Sequence, residues 1–332
     1  MSLCTFGNSK YLNEFGGQIE LLSPKSSYEI NIKELNKKDE KESIIKINCN
    51  YMNFNLENIP PFILIENYFI RISKDEGLII VIIKNKNIQN NKQNILYCHE
   101  NNTDIGEKIP FLIDLSIQFK STIVSFDYSG FGKSTGKKNK NKLISNSNLI
   151  IKTLLNNFKI SCENLIVIGR EIGAISALNI CNRYYVKCLI LLCPVFMDMI
   201  DKKIMNNIET HTFLIQGKVC NPFYNYQKIS NFCQLIKNES EWSCKLNSFD
   251  KILEIKRAKF IHKIRNFLNT INNKSNKSSI CISRNESDIT LPFSGMDQKN
   301  ESEIDLNCTY SNIDKNFKNN KNIVIFSDEE ED

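Results

Sequence analysis

Leu165–Leu178 reads LIVIGREIGAISAL. An apolar, β-branched run, Ile166-Val167-Ile168, ends in Gly169-Arg170-Glu171-Ile172-Gly173, and small and apolar residues at helical spacing follow. A short apolar run suits a buried strand and the segment after it suits a helix, so the two glycines bracket a sharp strand-to-helix turn. Such a turn lifts its middle residue clear of the backbone, which is how a nucleophilic serine is presented. Here the middle residue is Glu171.

Outward from this stretch, short apolar runs alternate with helical segments. Upstream, Ile95–Cys98 and Thr122–Phe126 read as strands, and Ile109–Phe119 and Leu143–Phe158 as helices. Downstream, Ile172–Tyr184 reads as a helix, Cys188–Cys193 and Thr212–Ile215 as strands, and Phe223–Leu235 and Lys251–Leu268 as helices. The alternation predicts an α/β fold with a mostly parallel central sheet covered by helices on both faces. Earlier in the chain, Tyr68–Ser73 and Leu78–Ile83 flank the turn residues Lys74-Asp75-Glu76-Gly77, which predicts a hairpin.

Three regions follow. Residues 1–61 are mixed, with short candidate strands at Gln18–Leu22 and Tyr28–Ile32 beside charged and asparagine-rich runs, and read as a partly ordered extension. Residues 62–270 carry the α/β pattern. Residues 271–332 are rich in Asn, Ser and Lys and end in SDEEED; too few apolar residues remain to offset the entropy of ordering, which predicts a disordered tail.

The chain has 332 residues, 41% hydrophobic, enough for a large core. Its net charge of +6 comes from lysines scattered among asparagines, a solvated surface and no nucleic-acid footprint. Twelve cysteines without a C-x-x-C pair argue against a disulfide scaffold and for a reducing cytoplasm. The start, MSLCTFGNSKYL, has no secretory pattern, and no apolar run reaches membrane-spanning length. Cys4 is a candidate S-acylation site, which would add a peripheral membrane association through the N-terminus.

Ser129–Thr135, SGFGKST, contains the G-K-S-T of a phosphate-binding loop, but Asp127 stands where that loop needs its first glycine. The same residues read from Asp127, as DYSGFGKS, form a strand end followed by two turn glycines, Gly130 and Gly132. With Tyr97-Cys98-His99-Glu100-Asn101 before it and Gly169–Gly173 after it, the chain resembles the α/β-hydrolase fold family. More narrowly, it resembles the cytosolic serine-hydrolase branch that includes N-terminally acylated protein depalmitoylases. That branch carries H-G-N, D-Y-x-G-x-G-x-S and G-x-S-x-G in this order, and the resemblance covers about residues 62–270.

The resemblance implies a triad of serine, acid and histidine with two backbone N–H groups holding an oxyanion. Carried over by position, the serine is Glu171, the acid is Cys220, and the histidine is Ser248, beside Asp250. The oxyanion-hole amides fall on Asn101 and Ile172, with Glu100 in the place of a glycine. Of three histidines, His99 belongs to the oxyanion loop as a structural residue, and His211 and His262 are not where a base is needed. No metal or cofactor is expected.

These departures predict a catalytically degenerate hydrolase-like protein that works by binding a protein or a small acyl ligand. The alternative is an active esterase or thioesterase whose catalytic residues have moved, with Ser129, Ser134 and Asp198 as candidates.

Overall fold

The computed structural model describes residues 21–31, 43–87, 93–194, 208–217, 239–244, 249–277 and 324–326. Its strands are β1 (Tyr28–Ile30), β2 (Ile44–Ile47), β3 (Cys49–Tyr51), β4 (Ile63–Arg71), β5 (Gly77–Asn85), β6 (Asn94–Cys98), β7 (Thr122–Phe126), β8 (Leu165–Arg170), β9 (Cys188–Leu192), β10 (Thr212–Gly217), β11 (Glu239–Cys244) and β12 (Val324–Phe326). The helices are α1 (Ile105–Phe119), α2 (Lys140–Asn156), α3 (Gly173–Arg183) and α4 (Phe249–Lys277).

The main sheet has the order β12-β11-β10-β9-β8-β6-β7-β5-β4-β2, and β1 pairs with β3 in a separate ribbon. From β7 through β12 every pairing is parallel, while β2, β4, β5 and β7 pair antiparallel. The exchange of β6 and β7 places β6 and β8 side by side, with Cys98 opposite Gly169. Loops that leave these two strands therefore meet at one edge of the sheet, where open α/β sheets bind ligands.

Alternation along each strand feeds two cores. Ile95 and Tyr97 face α1 and α4 in one cluster, while Leu96 and Cys98 face α2 and α3 in the other. β8 and β9 are buried along their whole length, which is why they read as continuous apolar runs. No helix among the described residues is long and apolar enough to cross a membrane.

Several boundaries move. α1 begins at Ile105, before the expected Ile109, because the Asp104 side chain caps it by accepting from Glu107 N–H; Pro110 sits inside the helix and does not start it. The sheet also begins upstream of residue 62: Ile44–Ile47 pairs with β4, and Tyr28 is fully buried in the core. α4 runs to Lys277, past the expected boundary at 270, and Val324–Phe326 pairs with β11. The predicted hairpin is present as β4 and β5. Of the expected strand at Gln18–Leu22, residues 21 and 22 are not in a strand and the rest lies outside the described residues, as does the helix expected at Phe223–Leu235.

Candidate functional site

β8 ends at Arg170, and Glu171 turns the chain at φ 48° before α3 starts at Gly173. The turn is tied down by backbone bonds: Glu171 N–H donates to Leu192 C=O at 3.1 Å, and Glu171 C=O accepts from Ala174 N–H at 3.1 Å. The flanking glycines are there for close approach. A β-carbon on Gly173 would lie 2.1 Å from the Cys98 carbonyl oxygen, and one on Gly169 would lie 2.7 Å from the Ala177 β-carbon. The residue in the left-handed region is Glu171 itself.

A non-glycine residue held there costs about 1 kcal/mol. Glycine would relieve that strain but lose more backbone entropy on folding, so Glu171→Gly is expected to raise stability by only about 0.5 kcal/mol in urea denaturation. A loss instead would mean that contacts of the glutamate side chain, at a helix N-terminus that favours its charge, outweigh the strained backbone.

Facing the elbow is the loop after β6. His99 is buried, its Nδ1 2.7 Å from the Glu100 carbonyl and its Nε2 3.3 Å from Asp127 Oδ1. Asp127 also accepts from the Tyr28 hydroxyl at 2.6 Å and from Ile105 N–H at 2.9 Å. Burial pushes the Asp127 carboxyl up, against the lowering effect of His99 and Tyr28. The Tyr128 hydroxyl donates to His99 C=O at 2.9 Å. These are structural ties, and they assign His99 to holding the loop.

Glu100 is buried and does not present a bare charge. Its carboxylate pairs with Arg170 Nη1 at 2.9 Å and with Lys108 Nζ, and accepts from the Tyr97 hydroxyl at 3.1 Å. Burial alone would raise its pKa, but Arg170 and Lys108 bring it down to about 2. The loop position that carries a glycine in the family is thus bolted to the residue just before the nucleophile position. Arg170 and Lys108 were not among the residues singled out from sequence. A charge at the end of a wholly apolar strand was the available signal, since a buried arginine requires a partner.

The remaining candidates divide. Asn101 holds the N-terminal segment, its Oδ1 accepting from Leu22 N–H at 2.9 Å. Ile172 is the N-cap of α3, beside the first-turn amides that lack partners inside the helix. Gly130 and Gly132 have φ of 78° and 51°, and a β-carbon on Gly132 would strike Asp127 Oδ2 at 2.0 Å, so this loop wraps a carboxylate and not a phosphate. Ser129 Oγ donates to Glu76 at 2.8 Å, and Ser134 Oγ donates to Asp127 C=O at 2.9 Å while accepting from Ile79 N–H; both serve the turn. Burial pushes the Cys98 thiol well up, so it has no thiolate to offer. Leu189 N–H donates to the carbonyl of His211, ahead of β10, and His262 is exposed on α4 beside Asn266. Cys4, Cys220, Ser248 and Asp198 lie outside the described residues, and Asp250 is in the first turn of α4.

No family model matches the chain. By sequence it is 28% identical over 135 residues to alpha/beta hydrolase domain-containing protein 17C of Mus musculus, covering 41% of this chain and 42% of that protein. It is 30% identical over 135 residues to the human protein 17B, covering 46% of it, and 29% identical over 112 residues to aho-3 of Caenorhabditis elegans, covering 34% of it. The chain therefore spans less than half the length of these curated relatives. By structure it is similar to the Pyrococcus furiosus esterase Pf2001, with a TM-score of 0.53 and 16% identity over 62% of this chain and 92% of that one. A predicted CIB-like hydrolase of Thermoplasma acidophilum gives 0.50 and 15% over 62% and 98%. Strand order, elbow and neighbours agree on one conclusion: the chain is an α/β-hydrolase-fold protein that resembles the alpha/beta hydrolase domain-containing 17 proteins.

Proposed function

We propose that this protein has left hydrolysis and keeps the hydrolase scaffold for binding, with a small acyl ligand or a protein as its partner. One observation carries the reading. The backbone of a nucleophile elbow is in place, but Glu171 occupies its tip, and the facing loop carries Glu100 paired with Arg170 and Lys108. A carboxylate at the tip could turn over an ester only by expelling the alkoxide to form a mixed anhydride, which a base-activated water would then have to hydrolyse. His99 is buried among Asp127, Tyr128 and Phe131, and is unsuited to that task. We place the protein in the cytoplasm, with peripheral membrane contact if Cys4 is acylated.

The test is turnover of short-chain esters and thioesters by the full chain, beside Glu171→Ala and Glu171→Ser. All three are expected to show no hydrolysis above buffer and no labelling by a fluorophosphonate. Glu171→Ser is the sharper case, because it restores a hydroxyl without restoring a base. Turnover by the natural chain that disappears in Glu171→Ala would sink the proposal and assign a carboxylate mechanism.

A further inference from the structure

Residues 21–28 pass from one face of the sheet to the other. Leu21 packs against the cluster that contains Tyr128 and Ile172, on the side of α2 and α3. Tyr28 is buried in the opposite cluster, with Ile105 and Ile109 of α1. The crossing runs along the loop after β6, at the carboxyl ends of the parallel strands. Leu22 N–H donates to Asn101 Oδ1 at 2.9 Å, and Leu22 C=O accepts from Asn102 N–H at 2.9 Å.

The two ends of the crossing are held unequally. At the inner end, Ser27 N–H donates to Asp104 Oδ2 at 2.7 Å, its Oγ also donates to Asp104, and the Tyr28 hydroxyl donates to Asp127, all of them buried. At the outer end, Leu22 is 45% exposed, and the bond from its N–H to Asn101 is exposed. Exposed hydrogen bonds of this kind open locally without global unfolding, whereas the buried set opens only with the core.

We infer that Leu21–Pro24 is an autoinhibitory strap, lying across the oxyanion loop where a ligand would bind and released by hinging about Ser27–Tyr28. The segment bonded to this edge is the chain itself. A ligand must displace it, so apparent affinity falls by the fraction of molecules with the strap open. The inference rests on the binding reading of the same site.

The experiment uses the full chain and two substitutions. Leu22→Pro removes the donated N–H from the strap; Asn101→Ala removes its acceptor from the loop. Two readouts are taken: amide hydrogen exchange followed by mass spectrometry, and affinity for the apolar dye bis-ANS. The expected result is exchange at least about tenfold faster in residues 21–26 and 99–104, unchanged exchange in β6 and β8, and dye binding about tenfold tighter. Faster exchange with unchanged dye affinity would overturn the inference and leave a brace with no pocket beneath it. Unchanged exchange in the strap would overturn it too. So would loss of protection throughout the sheet in both variants, because a releasable strap cannot be needed for the fold. Ester turnover by a strap-released variant would instead sink the non-catalytic reading and leave the strap standing.

Discussion

Arg170→Met is expected to destabilise the protein by about 3 kcal/mol at neutral pH, and Glu100→Gln added to it to return most of that loss. Removing one partner of a buried ion pair leaves a charge without compensation, and Glu100 is buried together with Arg170. Lys108 stays in place, with its side chain 17% exposed, which keeps the effect at the low end of the usual range. A double-mutant cycle by urea unfolding reads the coupling directly, and a value near zero would mean that the pair is not formed in solution. The acid dependence has a definite sign. Because the folded-state pKa of Glu100 lies at about 2, below the ordinary 4.5, its stabilisation is fully present above pH 4.5 and is lost as pH falls toward 2. That contribution is about 3 kcal/mol. Glu66, held low by Lys84 and Lys46 despite the opposing effect of burial, weakens in the same window. The difference between the natural chain and Glu100→Gln at pH 7 and at pH 3 therefore isolates the buried pair.

Gly173→Ala is expected to cost at least about 3 kcal/mol, with a sharp fall in soluble yield. The added β-carbon would lie 2.1 Å from the Cys98 carbonyl oxygen and 2.7 Å from that of His99, and both obstacles are backbone. No rotamer change can relieve this contact. α3 would have to lift away from β6, disturbing the elbow and the facing loop together. Urea midpoints for Gly173→Ala and Gly169→Ala measure the effect, and near-natural stability of the former would mean that α3 does not start so close to β6.

Much of this site could be read from the chain because its geometry is enforced by residue types with few substitutes. Gly169 and Gly173 mark places where two backbones touch, and Gly130 and Gly132 mark positive φ, so the elbow and the loop announced themselves. The antiparallel pair β4 and β5 was legible because turn chemistry separates two apolar runs. What escaped depends on partners distant in sequence. β2 and β3 are too short and too rich in asparagine nearby to show a period. β11, ESEWSC, has no apolar pattern, and its place comes from backbone pairing with β10. Glu100 is legible in sequence as a residue in the place of a glycine, whereas the pairing with Arg170 and Lys108 that neutralises it exists only in the fold. Asn101, taken from sequence as a source of a backbone N–H, also uses its side chain to hold Leu22.

The ties of the N-terminal crossing also fix an order of events during synthesis. Tyr28 meets Asp127 across 99 residues and the Lys133 amide across 105. At translation speeds of ~5–20 residues per second, Asp127 is made roughly 5–20 s after Tyr28. Through that interval β1 can pair with β3, but the buried carboxylate that receives the Tyr28 hydroxyl does not yet exist. Contacts of such long range close late, once the sheet that receives them exists. The inner end of the crossing, made long before its buried partners, is thus among the last parts of the fold to settle.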